Sequence, residues 1–263
     1  MVGGIGNDVV MNSTSLDEVR SWIDVAERVV VLTGAGISTD SGIPDFRGPQ
    51  GVWTRNPAAE KASNLQNYVR DPELRVAAWL NRLTSPLFSS QPNRGHHAIT
   101  ALEHATRLHA VITQNVDELH QKAGVPAGKV IEVHGTAHRF NCLGCGDEGP
   151  IEVMLSRVRA GEPDPSCDRC GGIVKTATIS FGQALVPEVI DRAFQVATEA
   201  DVFVAVGSTL QVYPVANTVP LAHRSGARTV IVNAQETQFD DVASAVLRGS
   251  ISEILPVIFS VEA

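Results

Sequence analysis

The stretch VVVLTGAGISTDSGIPDFRG, residues 29–48, decides how the chain is interpreted, because it takes an apolar run directly into a glycine-rich turn. Glycine has no Cβ, so a backbone rich in it can approach a phosphate group closely. The dinucleotide fingerprint is Gly-x-Gly-x-x-Gly, whereas Gly34 and Gly36 are followed by Thr39 in place of the third glycine. Pro44 then limits any helix to a short one. The stretch predicts a nucleotide-binding loop that departs from the dehydrogenase pattern.

Four more apolar runs, each ending in small or polar residues, predict further strands: HAVITQN (109–115), KVIEVHG (129–135), DVFVAVGST (201–209) and RTVIVNA (228–234). Continuous apolar character is typical of strands buried on both faces of a sheet. Helical periodicity occurs in the segments around them, at 15–29, 96–107, 187–200 and 215–226. This alternation predicts an α/β fold with a Rossmann-like, doubly wound parallel sheet, whose ligand lies beyond the carboxyl ends of the strands.

Two segments interrupt the alternation and predict a smaller second domain. Residues 46–89 are helical and loop-like, and residues 136–178 contain all four cysteines. We expect these segments to form the helical part and the zinc-ribbon part of the small domain. The larger, discontinuous domain would then comprise residues 14–45, 90–135 and 179–263.

The composition predicts a globular protein without membrane spans. Hydrophobic residues make up 43% of the 263 residues and charged residues 19%, and no apolar run approaches the roughly 18 residues of a membrane helix. The start of the chain lacks the pattern of a secretory signal, so we expect a cytoplasmic protein. A net charge of −8 disfavours nonspecific nucleic-acid binding. Nothing in the sequence indicates the oligomeric state.

The four cysteines form two C-x-x-C pairs. Cys142 and Cys145 are separated from Cys167 and Cys170 by 21 residues, slightly more than the usual zinc-ribbon spacing. The pattern favours one zinc ion held by four thiolates, and since such a site leaves no coordination position open, the metal would be structural. Disulfides and a redox C-x-x-C are the alternatives, and both are disfavoured in a chain without a secretion signal and with two such pairs.

Polar side chains follow the predicted strands. Gln114, Asn115 and Asp117 come directly after 109–113, where amides and a carboxylate suit ribose hydroxyls and a carboxamide. Helix capping by Asn115 or Asp117 is the alternative interpretation. Small residues that let a phosphate or ribose come close end the run at 201–209, namely Gly207, Ser208 and Thr209. Asn233 occupies the strand end where the dehydrogenase pattern has an acid.

His134 is the histidine that we expect to act as a base. It ends a short strand, precedes Gly135, and carries an imidazole that titrates near neutrality. A hydrogen-bonded structural histidine is the alternative. We expect structural roles for six others: His96, His97, His104, His109, His138 and His223.

With these motifs assembled, the chain resembles the sirtuins, NAD-dependent protein lysine deacylases. GAGISTDSGIPDFRG, TQNVDELH, the His-Gly pair at 134–135, the cysteine pairs, FGQ (181–183), GSTLQVYP and IVNAQET occur in the family's order between Val29 and Pro256. The resemblance implies NAD as a consumed co-substrate, one structural Zn²⁺, and acyl-lysine proteins as partners. GVWT (51–54) is similar to a branch of the family in which Trp53 replaces part of a flexible lid.

The resemblance also implies roles for the residues of the opening stretch. Phosphate would be cradled by the turn at Gly34, Ala35 and Gly36, and the nicotinamide ribose would be covered by Asp45, Phe46 and Arg47. The carboxamide would lie in a pocket of Ile43, Asn115 and Asp117, straining the glycosidic bond. His134 would act as general base on a ribose hydroxyl. By position, Ile251 would contact adenine.

For the peptide, the resemblance implies addition as a strand between two loops, one at Phe181 and Gly182 and one at Val212 and Tyr213. Gln183 stands where many relatives have Glu. Three alternatives to deacylation remain open: mono-ADP-ribosyl transfer to protein, a noncatalytic NAD-sensing module, and hydride transfer. The last is disfavoured by the missing third glycine and the missing strand-end acid.

Overall fold

The apolar run of the opening stretch forms strand β1 (Val29–Thr33), which is buried along its whole length. The computed structural model describes residues 15–46, 48, 51–55, 60–61 and 63–259. Within them five more strands lie in the same sheet as β1: β2 (Leu108–Thr113), β3 (Val130–Glu132), β7 (Val202–Val206), β8 (Arg228–Val232) and β9 (Ala245–Leu247). This six-stranded sheet is parallel and has the order β3-β2-β1-β7-β8-β9, so β1 is central to it.

Helices cover both faces of this sheet because successive side chains of a buried strand point to opposite sides. Val29 and Val31 pack in one core with helices α1 (Leu16–Val25), α5 (Arg94–His104) and α10 (Ile251–Ile258). Val30 and Leu32 pack in the other, with α8 (Pro187–Glu199) and α9 (Thr218–Arg224). The predicted doubly wound parallel sheet is therefore confirmed.

A second, three-stranded antiparallel sheet is inserted after β3. Its order is β5-β4-β6, with β4 (Gly135–Cys142), β5 (Glu148–Pro150) and β6 (Val174–Thr178). Buried Trp79 packs with Phe140 and Met154 in a separate core. The helices beside this sheet and the remaining short ones are α2 (Val52–Arg55), α3 (Leu65–Arg70), α4 (Pro72–Leu83), α6 (Leu119–Ala123) and α7 (Ile151–Arg159).

Local sequence signals explain several helix starts. Ser15 caps α1 by accepting a hydrogen bond from the Glu18 backbone N–H at 3.1 Å. Asn93 caps α5, and Asp71 caps α4 ahead of a proline in the first turn. No helix among the described ranges is both long enough and apolar enough to span a bilayer.

Candidate active site

The polar residues that follow the central strands meet at the carboxyl edge of the six-stranded sheet. The Gly34 N–H donates to the Val206 carbonyl and the Gln114 N–H to the Thr33 carbonyl, both at 2.9 Å, and the Gly207 N–H donates to the last carbonyl of β8. These bonds extend the hydrogen-bond pattern of the sheet by one residue beyond the ends of β1, β2 and β7. The turns after β2, β1 and β7 are therefore adjacent, at the point where the strand order reverses and where α/β sheets bind ligands.

Glycine is required where the turns after β1 and β7 touch. A Cβ on Gly34 would lie 2.7 Å from the Gly207 carbonyl oxygen, and one on Gly36 would lie 2.7 Å from the Gly207 Cα. Gly207 itself has φ +62°, which disfavours other residues. Backbone thus packs on backbone around Ala35, and the turn can present its surface to a phosphate without intervening side chains.

Asn115 and Asp117 are joined through a serine that the sequence analysis did not single out. The Asn115 side-chain amide donates to the Gly34 carbonyl and to Ser38 Oγ, both at 3.1 Å, and the Ser38 hydroxyl donates to Asp117 Oδ2 at 2.7 Å. Asp117 Oδ1 accepts from the Leu119 backbone N–H at 3.0 Å. Both amide hydrogens of Asn115 are used, so its Oδ1 remains an acceptor beside a buried carboxylate. Asp117 thus also contacts the first residue of α6, but the N-cap residue of this helix is Glu118, which makes no side-chain capping bond.

His134 is half-buried at the start of the second sheet. Its Nδ1 lies 3.1 Å from the Gln114 carbonyl oxygen, which can only accept a hydrogen bond, so neutral His134 carries its proton on Nδ1 and a lone pair on Nε2. Burial lowers the pKa of His134 below its usual 6.5, and the hydrogen bond to the Gln114 carbonyl opposes that shift. The imidazole is thus kept in its basic, neutral form at pH 7.

The residues after β7 and β8 extend the edge on the other side. The Gln114 side-chain amide donates to Ser208 Oγ at 2.9 Å, which ties the turn after β2 to that after β7 beside Thr209. Asn233, almost fully buried, donates from Nδ2 to the Gln235 carbonyl at 2.9 Å. Its backbone carbonyl accepts from Arg248.

An aromatic cluster covers the segment that follows the first turn. The Val52 and Trp53 N–H groups donate to the Asp45 and Phe46 carbonyls at 2.8 and 3.0 Å, which folds the segment back on itself. The rings of Phe46 and Trp53 are 4.8 Å apart, and those of Trp53 and Phe181 are 5.4 Å apart. Phe46 is nevertheless 45% exposed. Arg47 lies outside the described residues.

The two loops predicted to contact the peptide differ in their backbone hydrogen bonding and in their exposure. Phe181 exchanges backbone hydrogen bonds with Ser63 and Leu65 at 2.9 and 3.0 Å, so one edge of this residue is already paired. Gly182 follows with φ +80°, and Gln183 accepts a hydrogen bond from the Ser180 N–H within the same loop. In the second loop Val212 is half-buried and Tyr213 is 54% exposed.

Two isoleucines lie at the borders of the site. The Ile43 N–H donates to the Ser38 carbonyl at 3.3 Å, which places Ile43 next to the residue that joins Asn115 to Asp117. Ile251 begins α10, and its Cγ2 would lie 3.3 Å from a Cβ on Gly95. Ile251 therefore packs where α10 meets α5.

The four cysteines lie together at one end of the second sheet. Their sulfur atoms are all within 4.8 Å of one another, with 3.5 Å between Cys142 and Cys170 and 3.7 Å between Cys145 and Cys167. A tetrahedral zinc with bonds of about 2.3 Å needs sulfurs roughly 3.8 Å apart, so the arrangement fits the ion. No disulfide forms among them. The Gly144 N–H donates to Cys142 Sγ at 3.3 Å, a contact that stabilises a thiolate.

Comparison with known proteins identifies the family. A model of the Sir2 family matches residues 34–214. NAD-dependent protein deacetylase 2 of Streptomyces coelicolor is 49% identical over 230 residues, covering 88% of this chain and 95% of the relative. The chain belongs to the Sir2 family.

This Sir2 chain is also similar to NAD-dependent protein deacetylase 1 of Pyrobaculum aerophilum, with 42% identity over 250 residues, 94% of this chain and 95% of the relative. A solved structure of Sir2 with a deacetylated p53 peptide and 3'-O-acetyl ADP-ribose matches with a TM-score of 0.85 and 32% identity. The match covers 93% of this chain and 97% of that one. The sequence-based assignment to the sirtuins and the predicted fold are thereby confirmed.

Proposed function

We propose that this Sir2 chain is an NAD-dependent protein lysine deacetylase or deacylase, which transfers an acyl group from lysine to ADP-ribose and releases nicotinamide. The observation that carries the proposal is the joining of His134, Gln114, Asn115 and Asp117 to a glycine turn at the sheet's switch point. This reaction needs a base, a set of polar groups that can bind a carboxamide, and backbone that phosphates can approach without intervening side chains. The Sir2 relatives named as NAD-dependent deacetylases support the same reaction.

NAD, when bound, supplies the ADP-ribose that accepts the acyl group, and it is therefore consumed. Its phosphates would lie against the turn of Gly34, Ala35 and Gly36, where added Cβ atoms would collide with the backbone of Gly207. The ribose hydroxyls would be bound by polar groups at the strand ends, and adenine near the start of α10. The residues assigned to these contacts are Gln114, Gly207, Ser208, Thr209, Asn233 and Ile251.

The nicotinamide carboxamide would bind to Asn115 and Asp117 beside Ile43. Because the Asn115 amide hydrogens are already donated to the Gly34 carbonyl and Ser38, Asn115 offers an acceptor oxygen to the ligand. Oδ2 of Asp117 accepts a hydrogen bond from Ser38, and Oδ1 accepts one from the Leu119 N–H. Each carboxylate oxygen can accept a further hydrogen bond. Two acceptors side by side suit an amide NH₂ group.

A lid would close over the nicotinamide ribose. The segment that carries Asp45 and Phe46 folds back on Trp53, and the exposed Phe46 ring is free to cover a ligand while it remains in contact with Trp53. Exclusion of water at this point protects the reacting carbon. Arg47 belongs to the same proposed lid.

His134 would take the proton from a ribose hydroxyl. Its Nδ1–H is fixed by the Gln114 carbonyl, which leaves the Nε2 lone pair to accept that proton. The pKa lowered by burial keeps this nitrogen unprotonated at neutral pH. Asn115 would act before this proton transfer, by holding the carboxamide of nicotinamide as it leaves.

The acyl-lysine segment would bind as an added strand between the loop of Phe181 and Gly182 and the loop of Val212 and Tyr213. One edge of Phe181 is paired with Ser63 and Leu65, so the added strand would use the backbone that follows it. Recognition through backbone groups would accept many peptide sequences.

We assign the zinc a structural role, since four cysteines leave no coordination position for water or substrate. The domain division is part of the same proposal: residues 46–89 and 136–178 share the core around Trp79 and form the small domain. NAD and substrate would meet between it and the domain of residues 14–45, 90–135 and 179–263. The cytoplasm is the proposed location.

Mass spectrometry tests the reaction directly. Acetyl-lysine and myristoyl-lysine peptides are incubated with the protein, with and without NAD, beside His134→Ala. We expect acyl loss only with NAD, formation of O-acyl-ADP-ribose, and its disappearance in the variant. Transfer of label from NAD onto protein would instead indicate a mono-ADP-ribosyltransferase. NAD binding without any turnover would indicate a sensing module.

A further inference from the structure

Two histidines that the proposed reaction does not use lie behind Asn115 and Asp117. His96 comes from α5 and His120 from α6, with exposures of 0% and 1%. Their ring centroids are 5.1 Å apart, and the rings are tilted by 55°. Burial lowers the pKa of His96 to about 4 and that of His120 to about 3. Both imidazoles are therefore neutral at pH 7, and each carries one proton.

The position of the proton on His96 follows from its hydrogen bond. His96 Nδ1 lies 3.3 Å from the Asn93 backbone nitrogen, whose N–H can only donate. Nδ1 is thus the acceptor, and the proton of neutral His96 is on Nε2. That Nε2–H is buried and has no partner among the residues that the structure describes.

The proton on His120 is placed by the threonine pair on β1 and β2. The Thr33 hydroxyl donates its hydrogen to Thr113 Oγ1 at 2.8 Å, so Thr33 Oγ1 can only accept from His120 Nε2 at 2.9 Å. The proton of His120 is therefore on Nε2, and Nδ1 keeps a lone pair. This Nδ1 is also buried, and the described part of the chain provides no donor for it.

The two partnerless atoms are complementary, since one is a donor on His96 and the other an acceptor on His120. Leaving both atoms unsatisfied would destabilise the fold, and buried polar atoms without a partner are rare in folded proteins. We propose that one buried water joins His96 Nε2 to His120 Nδ1, and that the resulting chain of hydrogen bonds positions Asn115 for the carboxamide.

The chain of hydrogen bonds continues to the candidate site. His120 donates to Thr33, Thr33 donates to Thr113, and Thr113 Oγ1 also accepts from the Asn115 backbone N–H at 3.1 Å. The backbone of Asn115 is thereby held while its side chain is held by Gly34 and Ser38. His96 and His120 are positioning residues, and this part of the inference depends on the proposed nicotinamide site.

The proton positions can be measured without any turnover. Long-range ¹H–¹⁵N spectra of the ¹⁵N-histidine-labelled protein, at pH 7 and without ligand, distinguish the imidazole tautomers. We expect the Nε2–H form for both His96 and His120, assigned with His96→Gln and His120→Gln. An Nδ1–H form or a charged ring at either position would overturn the proposed chain, whatever the enzyme does.

The positioning role is tested by removal of one hydroxyl. Thr33→Val keeps the side-chain shape and breaks the chain between His120 and Thr113. The matched control is Thr229→Val, because Thr229 is equally buried in the same sheet and its hydroxyl oxygen accepts a hydrogen bond from the Ser244 backbone N–H at 3.3 Å. We expect Thr33→Val to weaken nicotinamide inhibition about tenfold, with the KM of the acetyl-peptide unchanged, since a weakened carboxamide site loses about 1.4 kcal/mol per factor of ten.

Thr229→Val is expected to lower the Tm with nicotinamide inhibition unchanged. The positioning role would be overturned if both variants weakened nicotinamide inhibition by the same factor for each degree by which their Tm falls. If the protein has no NAD-dependent turnover, nicotinamide and NAD binding measured by calorimetry replace inhibition. Failure of the proposed reaction is thus distinguished from failure of the positioning role.

Discussion

The cysteine cluster and the carboxyl edge of the parallel sheet are built in different ways. Each half of the cysteine cluster comes from a C-x-x-C pair, so its geometry is encoded within a few residues. The sheet edge instead joins Gly34, Asn115, His134 and Gly207, which lie on four strand ends far apart in sequence. A metal site can therefore be encoded locally, while a site for an extended ligand depends on the whole sheet.

Removal of zinc should have the largest effect on activity and structure, because it removes the ion that joins the four cysteines. Chelation, or Cys142→Ser, should abolish deacylation and disorder the three-stranded sheet, since structural zinc contributes on the order of 10 kcal/mol to small domains. Buried Trp79 shares a core with Cys142, so its fluorescence should shift to the red. Metal analysis and restored activity after zinc is added back provide the control. Full activity in zinc-free protein would contradict a structural zinc.

His134→Ala should be the most severe change at the sheet edge that leaves the fold intact. Loss of a general base typically reduces kcat by about 10²–10⁴-fold, while NAD binding should remain within a few-fold because His134 is not among the assigned phosphate contacts. Single-turnover kinetics and calorimetry measure the two effects. His109→Ala is the control and should keep its kcat, because His109 lies near the start of β2, where its Nε2 is 2.8 Å from Glu199 Oε2.

Gly34→Ala tests the contact between two turns of the sheet edge. The added Cβ would lie 2.7 Å from the Gly207 carbonyl oxygen, so the turns must move apart. We expect a rise of roughly tenfold or more in the KM for NAD, about 1.4 kcal/mol, together with a lower Tm. Gly128→Ala is the matched control, because its Cβ would meet nothing within 4 Å. Similar KM values of the two variants for NAD would contradict phosphate binding at the turn of Gly34, Ala35 and Gly36.

Ser38→Ala should have a smaller effect on the same edge. It removes the hydroxyl that joins the Asn115 amide to the Asp117 carboxylate and leaves both partners buried. A lost hydrogen bond to a charged group costs about 1.5–3 kcal/mol in general, part of which water can recover. We expect a several-fold weaker inhibition by nicotinamide, measured against acetyl-peptide turnover, while peptide KM stays constant.

The buried histidines should make the free energy of unfolding depend on pH. The pKa of His120 is lowered to about 3 in the folded chain, so between pH 6.5 and 3 the unfolded chain binds a proton that the folded chain does not. Stability is therefore lost as pH falls below 6.5, by up to about 1.4 kcal/mol per pH unit for each such histidine. Glu132 opposes this, because burial raises its pKa to about 7.

The difference between wild type and His120→Gln isolates the histidine contribution from that of Glu132. Urea unfolding at pH 7, 6 and 5 should show a shallower loss of stability in the variant, since it has one proton fewer to take up on unfolding. Parallel pH dependences would show that His120 does not remain neutral in the folded chain.

The strands could be predicted wherever an apolar run was long. The run at 201–209 contains β7, and that at 228–234 contains β8. Strand β9 (Ala245–Leu247) was not predicted, because three residues flanked by polar ones carry no periodic signal. Its pairing with β8 provides the strand character that its own sequence lacks.

The site could be predicted in part. His134 and Asn115 were predicted as site residues because each stands at the end of an apolar run, and the structure brings both to the carboxyl edge of the sheet. The cysteines were predicted from their spacing. Ser38, Thr33 and His120 were missed, since a serine in a glycine-rich loop or a threonine inside a strand has no pattern of its own. Their roles depend on partners some 80 residues away in sequence.

The alternation of strands and helices, the four cysteines of the zinc site and the family could all be predicted from the amino-acid sequence, because they depend on local periodicity, on short spacings and on motifs in a fixed order. Which strand ends are neighbours is known only from the folded chain. The fold also sets which side chains lose water and must find partners, as Asn115, Ser38 and Asp117 do. Burial and hydrogen bonding between distant segments arise only when the sheet has formed.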